Sequence, residues 1–531
     1  MEEIGGVRPP QLHGTAPGDI WVNVKAIPIK AEAVVPLTRR HILAGLLAGA
    51  ALPVWAEAPL TSPRPPHRPA KAAPPAVADL IAAAKLGGVV GFAVTDLASG
   101  QVLASHNDGV VLPPASVCKA VTALYALEKL GTAHRFITRI MQVGTVTNGR
   151  LNGDLILAGG GDPTFDTDKL GDLVASLAAT GLREVTGRFL AYGGSLPERD
   201  RIAADQPDHV GYNPAMSGLI LNYNRVNFEW ARRGGKWQLA MDARGERFIP
   251  AVRMASVRLA TREIPVFAYT PGPGQTDQWT VAEAALGKGG SRWLPVRHPA
   301  AYAAEVFQTL CAAHGIKLPS AQIIPVLPDA AQTTVQHQSA PLPDVLRGML
   351  KFSTNLTAEA VGLAASGAIS QEASAAAMTV WAAQTFGTKG SFGDHSGLGP
   401  ASRITAADMM RVMIGARTTA TGPALLALMR EMGVQGPDGK EIKASVVRVH
   451  AKSGTLNFVS CLAGYIAAPR MAAGGPAKTL AFAIFCADEP RRLALPIEDR
   501  EDPAGGAVWT RRARRLQGQL IAGWAKAHLA A

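Results

Sequence analysis

Pro113-Pro-Ala-Ser-Val-Cys-Lys119-Ala-Val-Thr-Ala-Leu-Tyr-Ala-Leu-Glu-Lys-Leu130 is the stretch on which the reading of this 531-residue chain turns. Two prolines end an extended segment and the apolar residues after them recur at helical spacing. Ser116 therefore falls at the mouth of a helix, with Lys119 one turn later on the same face. A hydroxyl becomes a nucleophile when a neighbouring base takes its proton, and a lysine serves as that base when burial and nearby cations lower its pKa. Taken alone, serine three residues before lysine is common on solvated helices as an N-cap beside an exposed cation. The catalytic reading needs partners elsewhere in the chain.

Composition sets the outer limits. At 47% hydrophobic and 18% charged the chain is ordinary globular protein, long enough for two or three domains. The balance of 53 Lys+Arg against 41 Asp+Glu gives +12, which favours anionic surroundings. The tight basic cluster Arg511-Arg512 with Arg514-Arg515 comes without a zinc finger, an RNA-binding signature or a basic-aromatic stripe. A polyanionic cell-wall or membrane surface explains the charge as well as nucleic acid does; we expect no nucleic-acid partner and at most peripheral membrane contact. Cys118, Cys311, Cys461 and Cys486 show no C-x-x-C spacing and no histidines at zinc-ligand spacing, so no metal or other cofactor is expected. Cys461 and Cys486 lie on two apolar runs joined by a Gly/Pro loop near Ala473, where a hairpin sets them opposite each other. Free thiols and a disulfide are both open, with free thiols the preferred reading.

Residues 1–36 carry no clear periodicity. Thr38-Arg39-Arg40-His41-Ile42-Leu43 then opens an apolar run to Trp55 with small residues at Ala56 and Ala58, the layout of a twin-arginine-like secretory signal. We read 1–58 as extension plus signal, implying export to the periplasm, and 59–78 as a proline-rich linker. The folded part begins near Val77. Strand-like runs over Gly88–Asp96 and Gln101–His106 form a hairpin before the Ser116 helix, so two strands precede it. Glycine-broken strands follow Leu130, and the run Gly159-Gly-Gly161 lacks the lysine of a phosphate loop and reads as a tight turn. From Pro341 helical periodicity resumes, with further helices over 371–387 and 405–431. Three strands over 445–452, 457–468 and 480–488 and a helix over 506–527 close the chain. That last helix carries Val508, Trp509, Leu516, Leu520, Ile521 and Trp524 on one face, which suits packing on a sheet better than lying on a membrane.

Three short motifs now stand in order: Ser116-Val-Cys-Lys119 at a helix start, Ser353-Thr-Asn355 between helices, and Lys452-Ser453-Gly454-Thr455 in a strand. Each is weak alone, and the order and contexts together are strong. With Leu155-Ile-Leu-Ala-Gly-Gly-Gly-Asp-Pro163, Asn355-Leu-Thr-Ala-Glu359, Asp394-His-Ser-Gly-Leu398, Ser402-Arg403, Leu456 and Ala463-Gly-Tyr465, the chain resembles class C low-molecular-mass penicillin-binding proteins of the D-alanyl-D-alanine carboxypeptidase/endopeptidase type. The resemblance covers roughly Asp79 to Asp488. The interval of 237 residues from Ser116 to Ser353 matches a subfamily with an inserted module, whereas class A β-lactamases, which resemble the same three-motif scaffold, have a far shorter one.

The resemblance implies an α/β (α+β) transpeptidase/β-lactamase-like domain, an antiparallel sheet covered by helices. That domain would be made of 79–138 and 328–531 around a mixed α/β module over 139–327. It implies an acyl-enzyme on Ser116, with Lys119 as base, Ser353 as proton carrier and Asn355 orienting Lys119. The amides of Ser116 and Thr455 would form the oxyanion hole. Lys452, with Ser453, Gly454 and Thr455, would bind substrate, Lys452 lowering the Lys119 pKa and attracting the terminal carboxylate. Implied partners are peptidoglycan stem peptides, ending in D-Ala-D-Ala or crosslinked, and β-lactams. Ser453 and Thr354 depart from the commonest residues at their places, and neither change removes a needed group. A catalytically silent wall-peptide-binding module and a β-lactamase are the alternatives; the retained Ser116, Lys119, Ser353, Asn355 and Lys452 favour a peptidase. Asp394-His395-Ser396 has triad composition, but consecutive residues cannot form an extended relay, so it reads as a turn beside the site.

Overall fold

The computed structural model describes residues 77–434, 440–442, 445–469 and 477–529. The twin-arginine-like segment, nearly all of the proline-rich linker, and the loop around Ala473 lie outside the described residues.

The sheet that carries the site is built from β1 (Val89–Asp96), β2 (Val102–His106), β3 (Arg430–Met432), β4 (Arg448–Leu456), β5 (Val459–Ala468) and β6 (Lys478–Ala487). Its order is β3-β4-β5-β6-β1-β2 and every pairing is antiparallel. Alanine, valine, isoleucine and phenylalanine fill both faces of β6 and β5, which are buried almost end to end, because helices cover each side. The side chains of Ala463, Tyr465, Ala483 and Phe485 meet the helices α1 (Cys118–Leu130), α2 (Leu342–Phe352), α3 (Asn355–Ser366), α4 (Gln371–Phe386) and α5 (Ala406–Gly415) in one core. Phe92, Phe482 and Ile484 on the opposite face meet α6 (Gly506–His528) through Trp509, Leu516, Leu520 and Trp524. The apolar stripe of α6 is therefore spent on the sheet, and Val508 alone of the six expected residues is exposed, at 42%. Among the described residues no helix is long and apolar enough to cross a membrane.

Several local expectations shift. A third short strand, Val111–Leu112, pairs with Ile404–Thr405 before the Ser116 helix, making three strands rather than two. The helix expected over 405–431 stops at Gly415. It resumes only as Pro423–Leu428, with Pro423 in the first turn where its missing N–H needs no partner, and gives way to β3. The expected opposition of the two cysteines is one residue off: Cys461 faces Phe485 while Ser460 faces Cys486. Cys461 joins the core under α1 and Cys486 the core under α6, so they occupy opposite faces of the sheet and all four cysteines are free and buried.

The module expected over 139–327 centres on a mixed sheet in which Gln332–Gln338, an outer strand, pairs with Ile137–Thr147 beside it. The helices Thr167–Ala179 and Pro299–Ala313 and two three-stranded sheets complete its core. Gly159-Gly-Gly161 is a close approach of backbones: a Cβ at Gly160 would sit 2.0 Å from the Ile137 carbonyl. A separate apolar cluster joins Leu196, Ile202, Met216 and Ile220 of this module to Leu356, Ala360 and Leu398, seating it directly against the α3 region.

Candidate active site

Ser116 lies in a single 3-10 turn, Ala115–Val117, which runs straight into α1. Ala115 adopts a left-handed φ of 47°, a conformation that costs an alanine on the order of 1 kcal/mol and is held here by complete burial. Strand β4 passes so close that a Cβ at Gly454 would lie 2.8 Å from both the Ser116 nitrogen and the Pro114 carbonyl oxygen. Only glycine permits this approach. It sets the amide of Ser116 beside the backbone of Gly454-Thr455 at the lip of the sheet.

Lys119, one turn on, is completely buried, and its Nζ donates to Ser116 Oγ at 2.8 Å, Asn355 Oδ1 at 2.7 Å and the Ser396 carbonyl at 2.7 Å. Three acceptors saturate an ammonium. Burial lowers its pKa to about 8, while Cys118, Asp394 and Glu359 pull it back upward. Lys452 is also buried and donates to Ser353 Oγ at 2.9 Å and to the Ser453 carbonyl. Its pKa falls well below that of a free lysine, through burial first and Lys119 second. Burial is the first cause of the lowering at both lysines, and the charge of Lys119 adds to it at Lys452.

Ser353 caps α2 in the left-handed conformation, φ 58°, which turns the chain sharply so that Asn355 opens α3. Asn355 bridges two parts of the molecule. Its Oδ1 meets Lys119, and its Nδ2 donates to the Tyr212 carbonyl of the inserted module at 2.9 Å. That second bond fixes which end of the amide faces the lysine. Ser116, Lys119 and Asn355 therefore form one hydrogen-bonded group, and Ser353 with Lys452 a second, and Gly454 brings β4 against the first. Ser453 is exposed and Thr455 half-buried on the other side of β4.

The Asp394–Ser396 segment is a turn against the site, and no relay of its three side chains forms. The His395 ring hydrogen-bonds Ser374 Oγ at 2.6 Å, and burial lowers its pKa to about 4. The backbone does the contact work instead. Glu359, fully buried, accepts from the nitrogens of Ser396 at 2.9 Å and His395 at 3.3 Å, and Asp394 accepts from Gly397 and Gly399. These two carboxylates hold the loop so that the Ser396 carbonyl points at Lys119. Burial and Glu359 raise Asp394 to about 7. Glu359 and Asp394 were visible in the sequence only as motif landmarks. The carbonyls of Ser396 and Tyr212 carry no sequence signal, because every residue has one. Among the described residues no cluster of histidine, cysteine or carboxylate side chains is able to hold a metal ion.

Residues 74–493 match the family described as D-Ala-D-Ala carboxypeptidase 3 (S13). The chain is similar, at 27% identity over 464 residues, to a D-alanyl-D-alanine carboxypeptidase of Actinomadura sp. strain R39, covering 78% of this chain and 80% of that protein. It is 26% identical over 293 residues to the D-alanyl-D-alanine carboxypeptidase DacB of Haemophilus influenzae, covering 54% of this chain and 60% of that protein. Its fold is that of penicillin binding protein 4 (dacB) from Haemophilus influenzae, with a TM-score of 0.67 at 21% identity over 84% of this chain and 99% of that one.

Proposed function

The chain belongs to the D-Ala-D-Ala carboxypeptidase 3 (S13) family and is a serine peptidase, and on that premise we propose that its acyl-enzyme forms on Ser116 with Lys119 as general base. The observation that carries this is the 2.8 Å contact of the fully buried Lys119 Nζ with Oγ of the half-buried Ser116. In its neutral form Lys119 keeps two N–H bonds, to Asn355 Oδ1 and the Ser396 carbonyl, and turns its lone pair to the Ser116 hydroxyl.

The substrate is a peptidoglycan stem peptide. Beyond Ala451 the free edge of β4 has no pairing strand among the described residues, so an extended peptide lies along Ser453-Gly454-Thr455. Ser116 Oγ attacks the carbonyl of the penultimate D-alanine as its proton passes to Lys119. The amides of Ser116 and Thr455 receive the oxyanion. When the carbon–nitrogen bond breaks, Ser353 passes a proton to the leaving amine and is resupplied from the neighbouring lysines. Water then attacks the ester and returns Ser116 to its starting state. A β-lactam is opened by the same attack and acylates Ser116. Export to the periplasm is part of this reading and is supported by Thr38-Arg39-Arg40 and the apolar run behind it.

The test is labelling with a fluorescent penicillin, followed by incubation with a pentapeptide and with crosslinked stem dimers. Wild type takes the label and releases D-alanine or monomers, and Ser116→Ala does neither. Equal labelling of the two proteins would sink the assignment of Ser116, and rapid loss of label from wild type without peptide cleavage would favour a β-lactamase.

A further inference from the structure

A cavity of about 360 Å³ lies away from the catalytic group, in the seam between the catalytic domain and the inserted module. On the catalytic side its wall is made by the far ends of α1 and α3, at Leu130 and at Leu363, Ala364 and Gly367. On the module side it is made by the start of the strand Ile137–Thr147, by Gly160 and by Leu196. These helices are 13 and 12 residues long and hold Lys119 and Asn355 in their first turns, so about 15–20 Å of helix separates the cavity from the chemistry. Its volume falls at the lower end of the range for small-molecule sites.

The charge of this wall is one-sided. Arg135 and Arg139 line it with His134, and no aspartate or glutamate does. Ile140 turns into the module core, so Ile137 and Arg139 take the opposite face of the strand and look at the cavity. Helix C-termini carry partial negative charge, which by itself draws cations. Neither arginine serves those ends: Arg135 donates from Nη1 to the Ser339 carbonyl at 2.6 Å, and the Arg139 side chain has no hydrogen-bond or carboxylate partner among the described residues. In the same wall His134 Nε2 is enclosed without a hydrogen-bond partner, the kind of orphan that a bound group completes. Burial lowers the pKa of His134, so the positive charge comes from the two guanidiniums, which stay ionised at any working pH. Two guanidiniums without a carboxylate, beside leucine side chains, fit an anion that carries an apolar body.

We propose that this cavity binds a small organic anion, a carboxylate or phosphate group on a short apolar body, with the head at Arg135 and Arg139 and the body against Leu130, Leu196 and Leu363. The inference goes beyond the peptidase reading and does not rest on it. A ligand there touches both the catalytic domain and the module, so occupancy ties the two together and raises the melting temperature by mass action. It uses no group of the catalytic site and does not compete with what binds at Ser116.

The test titrates the full chain, in low-salt buffer free of phosphate, with hexanoate, with hexyl phosphate and with hexanol as the neutral control, reading ligand-observed NMR and the melting temperature. Anions of this size bind with a dissociation constant on the order of millimolar. Wild type binds the anions and not the alcohol, and the tighter of the two anions tells a carboxylate site from a phosphate site. Arg139→Gln gives up no hydrogen bond of the fold, so it melts with wild type and binds the anion about tenfold to a hundredfold more weakly, while Arg139→Lys recovers part of the loss. Ala364→Asp supplies a carboxylate from the wall itself and excludes the probe. Affinity that is unchanged by saturating penicillin places the probe outside the catalytic groove. Absence of saturable binding to wild type, equal binding of hexanol, full affinity in both Arg139→Gln and Ala364→Asp, or displacement by penicillin overturns the site and leaves the peptidase reading intact.

Discussion

Lys119 Nζ lies 2.7 Å from the carbonyl oxygen of Ser396, 277 residues further along the chain. With the equally close Asn355 Oδ1 it gives Lys119 two fixed acceptors, and neither can donate back. A neutral amine so placed has its lone pair directed at Ser116. In the proposed mechanism the rigidity of those two acceptors, more than the presence of a lysine, lets the pair act as nucleophile and base.

The first prediction is the pH profile. Because Lys119 titrates at about 8 and acts only when neutral, kcat/KM for acylation rises about tenfold per pH unit below that point and levels off above it. At pH 7 about one tenth of the enzyme is in the competent form. Penicillin acylation rates measured from pH 6 to 9.5 check this, and a flat profile would remove Lys119 as the base. Lys119→Ala loses roughly 10²–10⁴ in acylation rate.

Glu359 acts on the same lysine from behind. Its carboxylate receives the nitrogens of His395 and Ser396 and the Gln371 amide at 3.0 Å, all buried. Glu359→Ala strands those donors and destabilises the fold by about 3–5 kcal/mol in denaturant unfolding. Burial raises the pKa of Glu359 itself; Glu359→Gln keeps the volume and removes the group that, when ionised, raises the Lys119 pKa, so the acid limb of the profile moves to lower pH. The plateau rate falls about tenfold to a hundredfold as the Ser396 carbonyl loses its support. A purely structural Glu359 would lower the plateau and leave the limb in place.

The parts of this site that the sequence displays are those set by local spacing. Ser116 and Lys119 meet because one helical turn separates them, and the apolar stripe of α6 follows from its period. The contacts that escaped it join distant segments through backbone atoms, as at Ser396 and Tyr212, or depend on strand register. A shift of one residue between β5 and β6 decides whether Cys461 faces Cys486 or Phe485, and composition is silent on register.

Gly454→Ala tests the close approach of β4 to the nucleophile. The added carbon meets three backbone atoms, at 2.8 to 2.9 Å, in Pro114, Ser116 and Val117, and none of them can rotate away. The turn and strand must separate, at a strain of about 1–3 kcal/mol. The Ser116 amide then leaves the position where the oxyanion forms. Acylation by penicillin falls about a hundredfold while the melting temperature drops by only a few degrees. Acylation close to the wild-type rate would show that the Ser116 amide tolerates the shift and is no part of the hole.

The cysteines give the last prediction. A disulfide requires Cβ atoms about 3.5–4.5 Å apart and directed at each other. Cys461 and Cys486 sit on neighbouring strands but project to opposite faces, one toward Pro113, whose carbonyl lies 3.3 Å from Cys461 Sγ, and one into the core beneath α6. Bridging them would need β5 to slip by one residue against β6. That slip would turn Ala463 and Tyr465 out of one core and Leu462 and Ile466 out of the other, exposing several large side chains at about 1.5–3 kcal/mol each. Even in an oxidising compartment the pair therefore stays reduced. Protein purified without reductant yields four thiols to a chromogenic disulfide reagent in denaturant and almost none when native, since burial also raises the pKa of Cys118, Cys461 and Cys486. A yield of two thiols in denaturant would mean that the two strands pair in another register.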